Sequence, residues 1–491
     1  MPADKFDSIW SFQRMAWKQL LDKITIDIPE KRLIDVMKSN FGYVLINRDT
    51  PWFKPGSRNY NHAWTRDGAL TGVAMLRMGQ PELAKRYIEA YTPFVADSGW
   101  APHMILEDGK PVMFNTDPTS GEGQEYDSQG EYVFIVRQYF DYTGDEALVR
   151  EVYPKVVKSL RFAQELRKRR MTDEYKNDPA KRDYYGILPH SNSHEGYYPA
   201  KHSYWDDFWV LKGFKDGIYL AQKLGQTNDV EWMTAEEQDL RKCFYESVLR
   251  VIKRGRLNHL PGCVEFADTD PTSTSVAIMA CDETDQLPEP YGTNTFNVYW
   301  DNFAQRLKPG GEQTFTPYES RNADVFFRIN QRDRGLAVLR YFTSHSTRPY
   351  GWNHLAEVVH AKIRAPSYIG DMPHTWCGSD YINATRSIFA YEQRDALVLA
   401  AGVDPKWLEQ GVRVKNLPTQ FGAVNYEMKR EGPVVVISVA GFAAPPGGFV
   451  IPLPASLAGM SAEINGQPAQ IDDGALMFGK LPVAIRLTQP M

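Results

Sequence analysis

The sequence predicts a mainly α-helical fold, a toroid or bundle of helices, followed by a small antiparallel β module. Three observations predict it. Apolar residues recur at helical spacing through most of positions 30–400. The periodic stretches are separated by short Gly/Pro stops or by long loops rich in aromatic and polar residues, at 45–64, 97–125, 183–202 and 345–375. Near residue 410 the texture turns to short β-branched runs punctuated by Gly and Pro.

In chain order, 1–25 reads as an amphipathic helical segment carrying Ile9, Trp10, Phe12, Met15, Trp17, Leu20 and Leu21. It is expected to pack on the main body or on a domain outside this chain. Pro29 suits a helix start, and Leu33, Ile34, Val36 and Met37 supply its buried face. A helix opens at Asp67 and stops at Gly79-Gln80-Pro81; the next begins at Glu82. Helical periodicity then covers 126–142, 146–168, 203–223, 230–253, 330–344 and 379–401. After Gly411, the runs Val434–Val439, Phe449–Leu453, Ala462–Gly466 and Ala484–Leu487 read as strands. The expected domains are therefore 1–25, 26–410 and 411–491.

Composition excludes several classes. Of 491 residues, 56 are Lys or Arg and 61 Asp or Glu, giving a net charge of −5 and no basic footprint for nucleic acid. No apolar run is long enough for a membrane span. Four cysteines without a C-x-x-C pair give no zinc signature and no disulfide framework. No signal peptide is visible, so the expectation is cytoplasmic for a complete chain, periplasmic or secreted for a trimmed one. The oligomeric state is not legible. Aromatic residues reach 13%, with 12 Trp, 26 Tyr and 24 Phe.

Four clusters carry residue types suited to chemistry. Trp64-Thr65-Arg66-Asp67-Gly68 joins an aromatic face, a guanidinium and a carboxylate at a helix start, where Asp67 also reads as a cap. Glu125, Asp127 and Glu131 read as a solvated acidic surface or as a clamp for sugar hydroxyls. His194 and Glu195 sit among Gly and aromatics, ahead of Trp205-Asp206-Asp207. Partial desolvation there would raise an acid's pKa toward that of a general acid, while the Asp pair also reads as a helix cap. Trp352 and Glu357 precede His374 and Trp376; Glu357 alternatively reads as half of a structural ion pair with Lys362 or Arg364. Trp52, Trp64, Trp100, Trp205, Trp209, Trp352 and Trp376 offer flat faces for sugar rings, a share of them being core.

In chain order these pieces resemble the glucoamylase-like, six-hairpin glycosidases. The pieces are His62-Ala63-Trp64-Thr65-Arg66-Asp67, Asp127-Ser128-Gln129-Gly130-Glu131, Glu195 ahead of Ser203-Tyr204-Trp205, and Glu357 ahead of Gly370-Asp371-Met372-Pro373-His374. The resemblance covers about 30–400. It implies an (α/α)6 barrel, with Glu195 as general acid, Glu357 as general base, and Arg66 and Asp67 holding the hydroxyls of the terminal sugar. It further implies an exo-acting, inverting hydrolase of an oligo- or polysaccharide with no metal or cofactor. Three other readings stand beside it. A carbohydrate phosphorylase of the same fold would bind phosphate at His360, Lys362 and Arg364. A non-catalytic glycan-binding protein would use the acids as hydroxyl ligands. A polysaccharide lyase would draw on His194, His374, Tyr197 and Arg66.

Overall fold

The structure, a computed structural model, describes residues 3–57, 60–114, 124–193, 197, 199–311, 316–344 and 373–489. The chain starts with helix α1 (Ala3–Leu21), strand β1 (Thr25–Asp27) and helix α2 (Lys31–Asn47). A short pair of strands, β2 (Ala63–Trp64) and, farther on, β3 (Met104–Ile105), brackets α3 (Thr65–Arg77) and α4 (Pro81–Tyr91). Then follow α5 (Ser128–Thr143), α6 (Glu146–Lys168), α7 (Asp173–Asn177), α8 (Tyr204–Leu224) and α9 (Thr227–Gly255). The last part of the helical body is α10 (Pro271–Met279), α11 (Tyr291–Arg306), α12 (Arg321–Arg328), α13 (Arg332–Ser344) and α14 (Thr375–Ser387).

Local chemistry sets the boundaries. Gly144 and Gly225 end α5 and α8 in the left-handed conformation, at φ 67° and 72°. Asp145 caps α6 by accepting from the Leu148 amide, and Asp270 caps α10 by accepting from Ser273, with Pro271 behind it at the first helical position.

Helices α3, α5, α8, α10, α12 and α14 pack each on the next, and α14 returns to α3. Among the described residues they close an inner ring of six. Helices α4, α6, α9, α11, α13 and α2 pack outside them, so the architecture is an (α/α)6 barrel. Inner helices are buried on every side: in α3 and α14 every residue is buried. Outer helices bury a stripe, as Ala84, Tyr87, Ile88 and Tyr91 do in α4.

The region read as one helix over 379–401 ends at Ser387. Beyond it lie β4 (Ala390–Gln393) and β5 (Ala396–Leu399), an antiparallel hairpin turning at Arg394, φ 56°. Arg-Asp is no recognisable turn dipeptide, and the run of small apolar residues fits either period. Helices α10, α11 and α12, unmarked in the sequence reading, are short or polar enough to lack a clear apolar stripe.

The C-terminal module is antiparallel β, as expected. Its elements are β6 (Val412–Leu417), β7 (Val424–Glu431), β8 (Val434–Gly441), β9 (Phe449–Pro452), the single turn α15 (Ala455–Ala458), β10 (Ser461–Ile464), β11 (Gln467–Ala469), β12 (Ala475–Phe478) and β13 (Val483–Thr488). Seven strands form the order β1-β6-β7-β8-β13-β10-β11, and four form β12-β9-β5-β4. Alternation places Val435, Ile437 and Val439 of β8, and Val483, Ile485 and Leu487 of β13, on the buried face. Strand pairing crosses position 410 twice: β1 pairs with β6, and β5 runs parallel to β9.

The module docks at the C-terminal ends of the inner helices. Gln420 donates to Gln138 of α5, and Arg386 of α14 donates to the Pro418 carbonyl. A polar cavity of about 330 Å³ there is lined by Arg77 and Arg328, in the last turns of α3 and α12 where the helix dipoles favour cations, and by Arg137 and Lys212 among others. The four cysteines are buried free thiols. No helix among the described residues is long and apolar enough to cross a membrane.

Candidate active site

The opposite mouth gathers the inner helices' N-termini, and most of the polar residues singled out in the sequence lie there. Helix N-termini carry partial positive charge, so this end of the barrel suits carboxylates. The β2–β3 pair and two bonds from Thr65, its amide to the His103 carbonyl at 2.8 Å and its hydroxyl to Pro102 at 2.7 Å, fix where α3 begins. Arg66 and Asp67 thereby fall in its first turn, both buried. Gly68 follows because a Cβ there would lie 2.3 Å from the Tyr87 hydroxyl of α4.

Arg66 organises the centre. Its Nη1 donates to Asp127 Oδ2 at 2.5 Å and its Nη2 to Glu125 Oε2 at 2.7 Å. Burial works against the charged guanidinium, but Asp127, Glu125, Glu131 and Asp67 outweigh it and hold Arg66 firmly protonated. Asp127 caps α5 through the Ser128 amide, and its Oδ2 also accepts from Trp205 Nε1 at 2.8 Å. One carboxylate thus joins α3, α5 and α8. Glu125 is the partly exposed member, paired with Arg66 and able to accept from a ligand hydroxyl.

Glu131 lies below, fully buried, with neither carboxyl oxygen bonded to a described residue. Burial, then Asp127, pushes its pKa far up. Asp206 is likewise fully buried and raised, by burial first and by Asp127 second; the Ser191 hydroxyl donates to it. The acidic cluster is therefore neither a solvated surface nor, for Glu131 and Asp206, a set of exposed sugar ligands. Asp207, also read as a cap, accepts from the Leu188 amide, and burial raises it to about 7.

The aromatics divide. Trp64 is half-buried beside Tyr60 and His62, with ring centroids 5.7 and 5.4 Å away. Trp376 and Trp205 lie beneath the mouth as its floor: Arg66 and Arg321 each lie 5.1 Å from the Trp376 ring, and Arg321 lies 5.6 Å from Trp205. His374 packs edge-on to Tyr60 and Tyr318. Trp100 and Trp209, read as candidate sugar platforms, are core residues: Trp209 packs on Phe134, and Trp100 on Phe114 and Phe162.

The sequence reading missed a second ion pair at this mouth. Arg321 Nε and Nη2 donate to Asp380 Oδ2 at 3.2 and 2.8 Å, and Nη1 donates to the Thr272 carbonyl, tying α12 to α14 and α10. Burial raises Asp380 to about 6 despite the guanidinium. Nothing in the sequence marks Arg321 or Asp380, because each sits in an ordinary helical stretch.

His194, Glu195, Trp352 and Glu357 lie outside the described residues, as do His360, Lys362 and Arg364. Their described flanks dock at this mouth. Asn192 donates its amide to the Gln124 carbonyl, and the Tyr126 amide donates to Ser193 Oγ. Tyr197 donates to Asp268, whose pKa is raised by burial and by Asp270. Downstream, Asn47 donates to the Pro373 carbonyl, and the Thr375 amide donates to that of Pro55. Among the described residues no group of three or more His, Cys, Asp or Glu is arranged to hold a metal.

No family model matches the sequence, and no curated protein matches it. Solved structures share the fold. An α-L-rhamnosidase from Dictyoglumus thermophilum superposes with a TM-score of 0.62 at 10% identity, over 95% of this chain and 50% of its own. An α-L-rhamnosidase from Streptomyces avermitilis, solved with L-rhamnose, gives 0.58 at 12%, over 94% and 42%. A structure described as a wild-type glycosidase gives 0.52 at 13%, over 73% of this chain and 97% of its own. The chain spans about half the length, or less, of the two rhamnosidases.

Proposed function

We propose that this protein is a glycoside hydrolase that releases a sugar from the non-reducing end of an oligosaccharide, polysaccharide or glycoside. The observation that carries the reading is the Arg66 clamp. A buried guanidinium holds two carboxylates over a tryptophan floor at one mouth of a closed helical barrel, the architecture shared with the glycosidases above. Glu125 and Trp64, with Arg66 behind them, offer a hydroxyl acceptor and an aromatic face for the terminal ring.

In this reading Glu195 protonates the leaving oxygen and Glu357 activates the attacking water, with inversion. The two carboxyl groups then stand roughly 6.5–9.5 Å apart, leaving room for the water. The docking of Ser193 and Tyr197, on either side of Glu195, and of Pro373 and Thr375, downstream of Glu357, supports this. Residues 26–410 form the catalytic unit and 411–491 the β module. The rhamnosidase neighbours put terminal α-L-rhamnosides first among the substrates to try.

The test is a panel of aryl glycosides and oligosaccharides, with NMR of the anomer first released. Glu195→Gln and Glu357→Gln should each reduce turnover at least a hundredfold, on the scale of lost general acid–base catalysis, without changing the melting temperature. Near-normal turnover in either removes the role given to it. A sugar phosphate formed only with added phosphate would favour a phosphorylase instead.

A further inference from the structure

Helix α1 stands apart from the barrel chemistry. Residues Lys5–Met15 are exposed along the whole stretch, although the helix carries Phe6, Ile9, Trp10, Phe12 and Met15, each between 48% and 64% exposed. Its C-terminal end is anchored: Trp17 reaches Gly42 of α2, and Asp22 pairs with Lys18 and with Lys38 of α2. Phe6, Ile9, Trp10, Gln13, Trp17 and Leu20 follow one another at helical spacing, so they share one stripe. A groove of about 960 Å³ runs beside it, lined by Trp10, Gln13, Arg14, Trp17, Leu21 and Lys38.

We propose that this stripe is a self-association surface, on which α1 of a second copy of this chain packs antiparallel. The charge pattern selects that occupant. Asp7 and Arg14, one heptad apart, lie along the same edge of the stripe, next to Phe6 and Gln13. In an antiparallel pair the same edges of the two helices meet. With Phe6 opposite Trp17 and Trp10 opposite Gln13 of the second copy, Asp7 faces Arg14, and two-fold symmetry makes the pairing twice. A parallel pair would set Asp7 against Asp7 and Arg14 against Arg14 on adjoining edges, or leave both unmatched. Neither residue makes an ion pair with any described residue of its own chain, and both are exposed.

The area fits a reversible pair. The half-exposed side chains on the stripe, Phe6, Ile9 and Trp10, with the Gln13 and Arg14 stems put on the order of 400 Å² per copy in water. A pair removes on the order of 800 Å², the size of a weak, concentration-dependent interface. The helix lies beyond the barrel, so its substitution leaves the core untouched.

Sedimentation velocity on the full chain, over a micromolar concentration range, tests this. The wild type should sediment as a dimer. Trp10→Asp should give monomer, and Asp7→Arg or Arg14→Asp should each weaken dimerisation about tenfold, with unchanged melting. Combining Asp7→Arg with Arg14→Asp should restore the dimer, which a merely sticky helix would not do. A monomeric wild type overturns the proposal, as does failure of the double reversal to restore the dimer. So does a monomer that instead co-sediments with anionic phospholipid vesicles, which would make the stripe a membrane-surface helix.

Discussion

Gly130 offers the most direct test of how the barrel positions its site. A Cβ at Gly130 would lie 1.9 Å from the Trp209 carbonyl oxygen and 2.4 Å from its carbon. From the other side, a Cβ at Gly213 would lie 2.8 Å from the Gly130 Cα. Helices α5 and α8 therefore touch backbone to backbone, and a methyl group cannot enter unless they part by about 1.5 Å, to ordinary van der Waals separation. Gly130→Ala gains roughly 1 kcal/mol in helix propensity. Overpacking of a tight core costs about 1–3 kcal/mol, and a clash with backbone belongs at or above the top of that range. The net expectation is a loss of about 2 kcal/mol, or roughly 2 °C in melting temperature for a chain of this length. The same seam carries the 2.8 Å bond from Trp205 to Asp127, so parting the helices also loosens the Arg66 clamp and lowers activity. Gly459→Ala is the control, since nothing lies within 4 Å of its added Cβ. Calorimetry of both variants decides the matter. If Gly130→Ala melts within about a degree of wild type, the close approach is not a constraint and the reasoning fails.

Other outcomes follow from the buried charges. Arg66→Met should cost about 3 kcal/mol by leaving Asp127 and Glu125 without their cation, and adding Asp127→Asn should recover part of it in denaturant titrations. For Glu392, burial opposes charge, but Arg386 and Arg77 outweigh it and lower the carboxyl to about 2. It contributes about 3 kcal/mol above pH 4.5, lost as pH falls through about 2, so Glu392→Gln should be less stable at neutral pH with a flatter acid limb. Asp207 has the opposite sign. Burial raises it to about 7, so its contribution of up to about 4 kcal/mol is present below pH 4 and lost as pH rises through 7. Asp207→Asn, which keeps an acceptor for the Leu188 amide, should abolish that decline between about pH 4 and 7 in stability-versus-pH curves.

Much of the barrel was legible because inner and outer helices leave different marks. Stretches such as Glu146–Lys168 and Thr227–Gly255 bury a stripe against the ring and show the helical period plainly. Short inner helices such as Pro271–Met279 and Arg321–Arg328 are packed on every side or filled with polar residues serving the mouth, so periodicity misses them. The β module was legible from alternation in strands such as β8 and β13. The hairpin at 390–399 was not, because its turn carries no Gly or Asn.

At the site, residue types alone marked Arg66, Asp127 and Trp376, since a guanidinium, an acid and an indole clustered in loops have few other uses. The sequence also determined the secondary structure, because the period of burial is written in the order of apolar residues. Which groups share a proton or a cation was decided only by the tertiary structure. The pairing of Arg66 with Asp127, of Arg321 with Asp380, and the burial that raises the Glu131 and Asp206 carboxyls all depend on helices distant in sequence. Electrostatics depends on distance and on exclusion of water, and only closure of the ring sets both.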